Sequence, residues 1–380
     1  MLEDESGRIR LCGAAIAAEM LVTGCVIAVM GTEKPDGDFE VIDVVSPGLP
    51  PQPPLPSRGK GKGKEGKGYV AIVSGLGISG KLHEGLETHL LVEWLLGELT
   101  GAHVSLPLTI TKLNTYHFYK QDQSSASKIT RLILAGNTLS DAGPLPLTTT
   151  IHPTTSSDGT FANLKPTKKY GYDSSTYNPL PITTLDNLLS SLLPSIPIDL
   201  MPGPTDPANI SLPQQPIHPT MFPSSKAYFG STFNSVTNPY NCIINGVSFL
   251  GTSGQTIDDI YKYVEGDDRL AMMERTLRWR HLAPTCPDTL WSYPFQNTDP
   301  FVIERCPEVY FVGNQPKFET RLVEGSKGQR CRVITIPRFA ETGEVVVVDL
   351  DSLDVEVIRI SVEGPGGERG VGGGVDIGVE

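Results

Sequence analysis

The sequence predicts an α/β fold, and three observations predict it. From residue 69 onward, short apolar runs alternate with segments whose apolar residues recur at helical spacing. Several of those runs end in glycine-containing loops, as the strands of layered α/β sheets do. The chain then closes on a series of β-rich runs, which suits sheets layered with helices.

The elements follow in order. Leu21–Met30 (LVTGCVIAVM) reads as β structure, and a turn on Pro35-Asp36-Gly37 leads to a second strand, Phe39–Val45. Two or three strands do not make a stable unit alone, so this opening must pack on the rest of the chain. Residues 47–67 read as a linker. Its first half is a proline-rich run favouring polyproline II, and its second half is a flexible, positive Gly/Lys stretch (58–67). Tyr69–Ser74 (YVAIVS) is a buried strand. His83–Leu99 is a helix with Leu86, Leu90 and Trp94 on one face. Ile129–Ala135, Ile196–Met201 and Cys242–Leu250 read as strands, and Leu185–Leu193 as a helix. Ile257–Arg280 reads as a helical stretch broken near Gly266, and strands over Glu308–Val312, Cys331–Ile336, Glu344–Leu350 and Asp354–Ile360 finish the fold. Residues 140–182, rich in Thr, Ser and Pro, read as a disordered insertion, and 363–380 as a loose Gly-rich tail.

Composition narrows the function. The 380 residues are 39% hydrophobic with a formal net charge of −12. A protein that neutralises many phosphates by itself carries a basic surface, so strong autonomous DNA binding is disfavoured. No apolar run is long enough for a membrane helix, and the acidic start MLEDESGRIR fits neither a secretory signal nor a mitochondrial presequence. The six cysteines (Cys12, Cys25, Cys242, Cys286, Cys306 and Cys331) form no C-x-x-C pair, which points to reduced thiols rather than a zinc site.

The strand-end loops are where chemistry would sit. They read Ser74-Gly75-Leu76-Gly77, Gly136-Asn137-Thr138-Leu139-Ser140, Pro202-Gly203-Pro204-Thr205-Asp206 and Gly313-Asn314-Gln315-Pro316. None is a phosphate-binding Gly-Lys-Ser/Thr loop or a G-x-S-x-G elbow, and Gly75-Leu76-Gly77 is at best a fragment of a dinucleotide motif. Two-metal hydrolysis needs several carboxylates or imidazoles converging on one point. These loops offer Asp206 as their one carboxylate, with His218 and His281 isolated downstream. No cofactor is expected. Arg278-Trp279-Arg280-His281 reads as the basic end of a helix. Trp291, Tyr293 and Phe295 alternate, and core packing is the expectation for them rather than base stacking.

Eight segments carry a resemblance: LEDESGRI at 2–9, LVTGCV at 21–26, LPQQPIHPTMFP at 212–223, VTNPY at 236–240, FLGTSGQ at 249–255, LRWRHLAPTCPDTL at 277–290, TDPF at 298–301 and CPEVYFVGNQPKF at 306–318. In this order the chain resembles the B-subunit family of eukaryotic DNA polymerase delta. The resemblance implies a calcineurin-like phosphoesterase sandwich, with two sheets flanked by helices, over 68–362. A partial OB-type β-barrel over 1–46 would precede it, lacking its earlier strands. Active phosphoesterases carry D-x-H, G-D-x-x-D, G-N-H-D/E and G-H-x-H at strand ends. By that resemblance Gly75 and Gly77 stand where Asp and His would be, and Asn137 and Ser140 where two aspartates would be. Pro204 and Thr205 replace Asn and His, leaving Asp206, while Asn314 and Pro316 replace both histidines of the last motif.

The implied function is a noncatalytic scaffold in the nucleus. It would bind the carboxyl-terminal cysteine-rich module of the catalytic polymerase subunit, a third accessory subunit and a related translesion polymerase, with DNA contacted only indirectly or weakly. Pro216, His218, Met221 and Phe222 are candidates for a partner surface. Two other classes are kept in view. One is a metal-dependent phosphodiesterase or nuclease, disfavoured by the missing ligands. The other is an OB-type single-strand binder, disfavoured because Phe39 is the only aromatic residue within 1–46.

Overall fold

A computed structural model describes residues 1–17, 19–53, 66–79, 85–97, 108–112, 126–140 and 178–362. Most of the linker's basic half, most of the 140–182 insertion and the whole 363–380 tail lie outside the described residues.

Two sheets pack face to face, and each carries helices on its outer side. The strands of the first are β6 (Tyr69–Val73), β7 (Leu108–Lys112), β8 (Ile129–Ala135), β9 (Ile198–Met201), β10 (Phe233–Ser235), β16 (Glu344–Asp349) and β17 (Val355–Val362). They form a seven-stranded sheet in the order β10-β9-β8-β6-β16-β17-β7. The second is built from β11 (Tyr240–Ile244), β12 (Val247–Thr252), β13 (Val309–Gln315), β14 (Glu319–Glu324) and β15 (Arg330–Pro337). This five-stranded sheet has the order β11-β12-β13-β15-β14. Neighbours among β6, β8, β9 and β10 are parallel, as are β12, β13 and β15.

The continuous apolar runs have a direct cause: the central strands β6, β8, β9, β13 and β16 are buried on both faces, so successive side chains enter different cores. Val70 and Ile72 point into the layer between the sheets, where they meet Ile133, Phe249, Phe311 and Ile334. Ala71 and Val73 point outward to α2 (Leu86–Leu96) and α3 (Leu180–Leu192), which bury Leu90, Leu91, Trp94, Leu185 and Leu189. Along β13, Val309 and Phe311 face the inter-sheet layer, whereas Tyr310 and Val312 face α4 (Gln255–Tyr261) and α5 (Arg269–Trp279). The result is a four-layer α/β/β/α arrangement. No helix among the described residues is long and apolar enough to cross a membrane.

Several sequence expectations need correction. Cys242–Leu250 is not one strand but the hairpin β11–β12. Its turn is Asn245-Gly246, whose positive φ values of 48° and 81° suit the mirror-image turns of tight hairpins. The strand expected over Leu21–Met30 begins only at Ala28, because Met20, Val22 and Cys25 pack against the helical core under α5 instead. The amino-terminal unit consists of the hairpin β1–β2 (Leu2–Asp4, Gly7–Ile9) and a sheet of β3 (Leu11–Cys12), β4 (Ala28–Glu33) and β5 (Phe39–Val45), ordered β3-β5-β4. A short helix, α1 (Ala14–Ala17), follows β3. Helix α3 starts at Leu180, inside the stretch expected to be disordered, with Pro181 in its first turn, where its lack of an N–H costs nothing. Helices α4 and α5 are separate, and Gly266 lies between them. One further short helix, α6 (Phe339–Thr342), follows β15.

The described part of the linker is not a free tether. Leu49 is 6% exposed. Arg280 ends α5 in a left-handed conformation, and its guanidinium donates to the carbonyls of Pro47 (3.1 Å), Gly48 (2.9 Å) and Leu49 (3.1 Å). Gln329 donates to the Leu49 and Pro50 carbonyls, and the N–H of Cys306 to that of Pro51. Proline-rich chain leaves its carbonyls unpaired, and a forked cation satisfies three of them at once. We expect Arg280→Ala to cost about 1–3 kcal/mol and to open residues 47–53 to limited proteolysis, with Arg280→Lys giving only partial recovery. Cleavage no faster than in the parent would refute the strap.

Candidate functional site at the strand tips

The carboxyl ends of β6, β8, β9, β12 and β13 meet at one edge of the sandwich, where the two sheets' loops touch. Sharp turns start there because glycine permits them: Gly75, Gly77 and Gly136 have φ of 62°, 62° and 82°. A Cβ on Gly75 would sit 2.8 Å from Asn314 Oδ1 and 3.0 Å from the Arg338 Cβ, so neighbours already occupy that space. A Cβ on Gly136 would run into Ser253.

Two polar systems fill the edge. The first surrounds Asp206, which is 5% exposed. Its carboxylate accepts from the Thr138 hydroxyl (2.7 Å), the Thr138 N–H (3.3 Å), the Leu139 N–H (2.9 Å) and the Gly203 N–H (2.8 Å). Burial raises its pKa above the ordinary carboxylate value, and these donors oppose that shift. Beside it, Asn137 Oδ1 accepts from the Thr205 N–H (3.2 Å) and hydroxyl (3.1 Å), and the Thr205 hydroxyl donates onward to the Leu139 carbonyl (2.6 Å).

The second system is made of amides and a hydroxyl: Gln214, Asn238, Ser253 and Gln255. Asn238 Nδ2 lies 2.8 Å from Gln214 Oε1, 2.7 Å from Ser253 Oγ and 3.1 Å from Gln255 Oε1. Asn238 Oδ1 accepts from the Ser253 N–H (3.1 Å), and Gln255 Nε2 donates to Gln214 Oε1 (2.9 Å). Gln214 and Asn238 are each 1% exposed and also exchange backbone hydrogen bonds. Asn314 joins the sheets: its Nδ2 donates to the Ser253 carbonyl (2.8 Å), and its N–H to Ser74 Oγ (2.9 Å). Ser74 Oγ donates in turn to the Ile336 and Pro337 carbonyls.

The residues singled out in the sequence thus divide. Gly75 and Asn314 come together, as do Asn137, Thr205 and Asp206. Ser140 is half-buried, and its N–H donates to the Ile78 carbonyl. Pro204 and Pro316 are exposed. Gln214, Asn238, Ser253 and Gln255 were not anticipated. Their only signal was that they fall inside three of the segments that carry the resemblance, 212–223, 236–240 and 249–255. Of the proposed partner surface, Pro216 and His218 are exposed and Met221 is half-buried. Phe222 is fully buried against Phe233, with ring centroids 5.3 Å apart, so its side chain belongs to the core and not to a surface. The His218 ring accepts from the Thr220 N–H in a local cap, and the His281 ring lies 2.8 Å from Asp299.

Chemically, the edge contains the Asp206 carboxylate saturated by donors, a second carboxylate, Asp258, held by Gln315 (3.3 Å) and Arg269 (3.0 Å), several neutral amides, and the stem of Arg338. Among the described residues no group of three or more His, Cys, Asp or Glu could hold a metal ion. Neutral amides are poor ligands for paired divalent cations, and glycine offers no side chain at all. The hydrogen bonds at the edge lock loops from both sheets to each other.

The chain is similar to known polymerase subunits. Residues 70–320 match the B-subunit family of DNA polymerases alpha and epsilon, and residues 1–44 match the OB-fold domain family of DNA polymerase delta subunits. The chain belongs to the B-subunit family of DNA polymerase accessory proteins. Its relatives identify the delta branch. The DNA polymerase delta small subunit of Oryza sativa subsp. japonica is 41% identical over 361 residues, covering 95% of this chain and 73% of that protein. The protein of the same name from Saccharomyces cerevisiae is 34% identical over 395 residues, covering 95% and 70%. An archaeal relative, the DNA polymerase II small subunit of Pyrococcus horikoshii, is 27% identical over 217 residues, 56% of this chain and 31% of its own length.

Proposed function

We propose that this chain is the noncatalytic scaffold of a DNA polymerase delta complex, built on a calcineurin-like phosphoesterase sandwich that has lost its metals. In this reading residues 1–46 belong to an OB-type unit, 47–67 are the linker and 68–362 the degenerate domain. The observation that carries the reading is the state of Asp206. The single carboxylate left in the strand-tip loops spends its lone pairs on Thr138, Leu139 and Gly203. It therefore acts as a brace between loops rather than as a ligand.

The degenerate positions are Gly75, Gly77, Asn137, Ser140, Pro204, Thr205, Asp206, Asn314 and Pro316. With no hydroxide generated there, the chain acts by binding other proteins. Its partners are the cysteine-rich carboxyl-terminal module of the catalytic subunit, a third accessory subunit and a translesion polymerase, in the nucleus. The net charge of −12 suits a subunit that leaves the DNA to others. Affinity capture of the full chain from a nuclear extract tests this. Stoichiometric recovery of a catalytic polymerase subunit is expected, and its absence contradicts the proposal. A second expected result is no manganese-dependent release of nitrophenol from a generic phosphodiester above a heat-denatured control. Turnover that disappears in Asp206→Ala, while the variant stays folded, would restore the phosphodiesterase reading.

A further inference from the structure

Residues 290–295 read LWSYPF, with aromatic rings at alternate positions. The expectation of core packing fails here. Trp291 is 69% exposed, Tyr293 62% and Phe295 44%. The other two tryptophans behave differently: Trp94 is 2% exposed and Trp279 3%.

The segment is held at its back. The Leu212 N–H donates to the Trp291 carbonyl (2.9 Å), and the Tyr293 N–H donates to the Leu212 carbonyl (2.8 Å), with a parallel bridge between Leu212 and Ser292. Anchored at these alternate positions, the backbone presents its rings outward. Tyr293 and Phe295 meet edge to face with centroids 4.9 Å apart. Ile210, two residues before Leu212, is 76% exposed. Exposed tryptophan and tyrosine on a fixed backbone are typical anchors of protein contacts.

The local charge selects the kind of partner. From Pro287 to Thr298 the only charged side chain is Asp288, and it is exposed. A surface for nucleic acid or anionic lipid needs cations beside its aromatic rings, and this stretch has none. Aromatic ridges with free indole N–H and hydroxyl donors suit polyproline II chain, whose carbonyls are unpaired and whose rings stack on aromatic faces. An acidic residue at the edge suits a cation flanking the prolines. We propose that the Trp291–Tyr293–Phe295 face docks a proline-rich segment of a partner protein, with Asp288 pairing an Arg or Lys beside the prolines. The chain's own prolines at 47–53 are not the occupant, because Arg280, Gln329 and the Cys306 N–H hold them elsewhere.

The test uses the full chain and a labelled peptide of Pro-Pro-Leu-Pro repeats ending in two arginines, followed by anisotropy. Saturable binding is expected, weakened about tenfold or more in Trp291→Ala and in Tyr293→Ala, while their thermal midpoints stay at the parent value. Asp288→Lys is expected to weaken binding at low salt and to matter little at high salt. A peptide with glycine in place of proline should not compete. Three results would overturn the proposal: no saturable binding of the proline peptide, equal binding by the Trp291→Ala variant, or preferential binding of a labelled oligothymidylate.

Discussion

Replacing Asp206 by alanine is expected to be among the most damaging single changes in this chain, lowering stability by about 3–5 kcal/mol. The cost comes from the donors that would lose their acceptor. Three backbone N–H groups, from Thr138, Leu139 and Gly203, and one hydroxyl point at this carboxylate in a site closed to water. Alanine leaves all of them unpaired, and each unsatisfied buried donor costs about 1–3 kcal/mol. Asp206→Asn, which keeps the size but turns an amide N–H₂ toward those donors, should also destabilise. Urea unfolding monitored by circular dichroism reads the effect. A residue that served only as a leftover metal ligand would behave in the opposite way, because its removal relieves an unpaired charge. A midpoint within error of the parent would therefore remove the bracing role.

The second large effect concerns an attempt to rebuild the lost chemistry. On the function proposed above, Gly75→Asp would restore a metal-binding residue type at this position, and it should fail as a ligand. A non-glycine residue at φ 62° costs about 1–2 kcal/mol. The new side chain would also start 2.8 Å from Asn314 Oδ1, a buried acceptor with no donor of its own. An acceptor pressed against an acceptor adds repulsion, so a total loss of about 2–4 kcal/mol is expected with no gain in manganese binding. Gly75→Ala separates the parts: it carries the backbone strain and the close approach without the charge. If Gly75→Asp proves as stable as Gly75→Ala, repulsion between the new carboxylate and Asn314 is not the obstacle.

Much of the layered fold was legible because burial on both faces writes itself into the sequence as unbroken apolar runs. Tyr69–Val73, Ile129–Ala135 and Val309–Gln315 are found at or within three residues of their expected ends. Strands that lack such runs escaped: β14 carries Glu319, Arg321 and Glu324 on an edge, and β10 is only Phe233–Ser235. The Asn245-Gly246 turn was readable in principle but was hidden by apolar residues on both sides. The amide network could not be read, because Gln214, Asn238 and Ser253 come from loops whose meeting depends on the packing of both sheets. The aromatic residues at 291–295 misled for a related reason: composition alone does not tell a buried ring from a ring kept on the surface for contact.

Equilibrium dialysis of manganese against the metal-stripped full chain measures whether the strand-tip edge holds metal. We expect no stoichiometric binding at micromolar free metal, and the same result for Asp206→Ala. Two ions bound per chain, lost on that substitution without loss of fold, would contradict it.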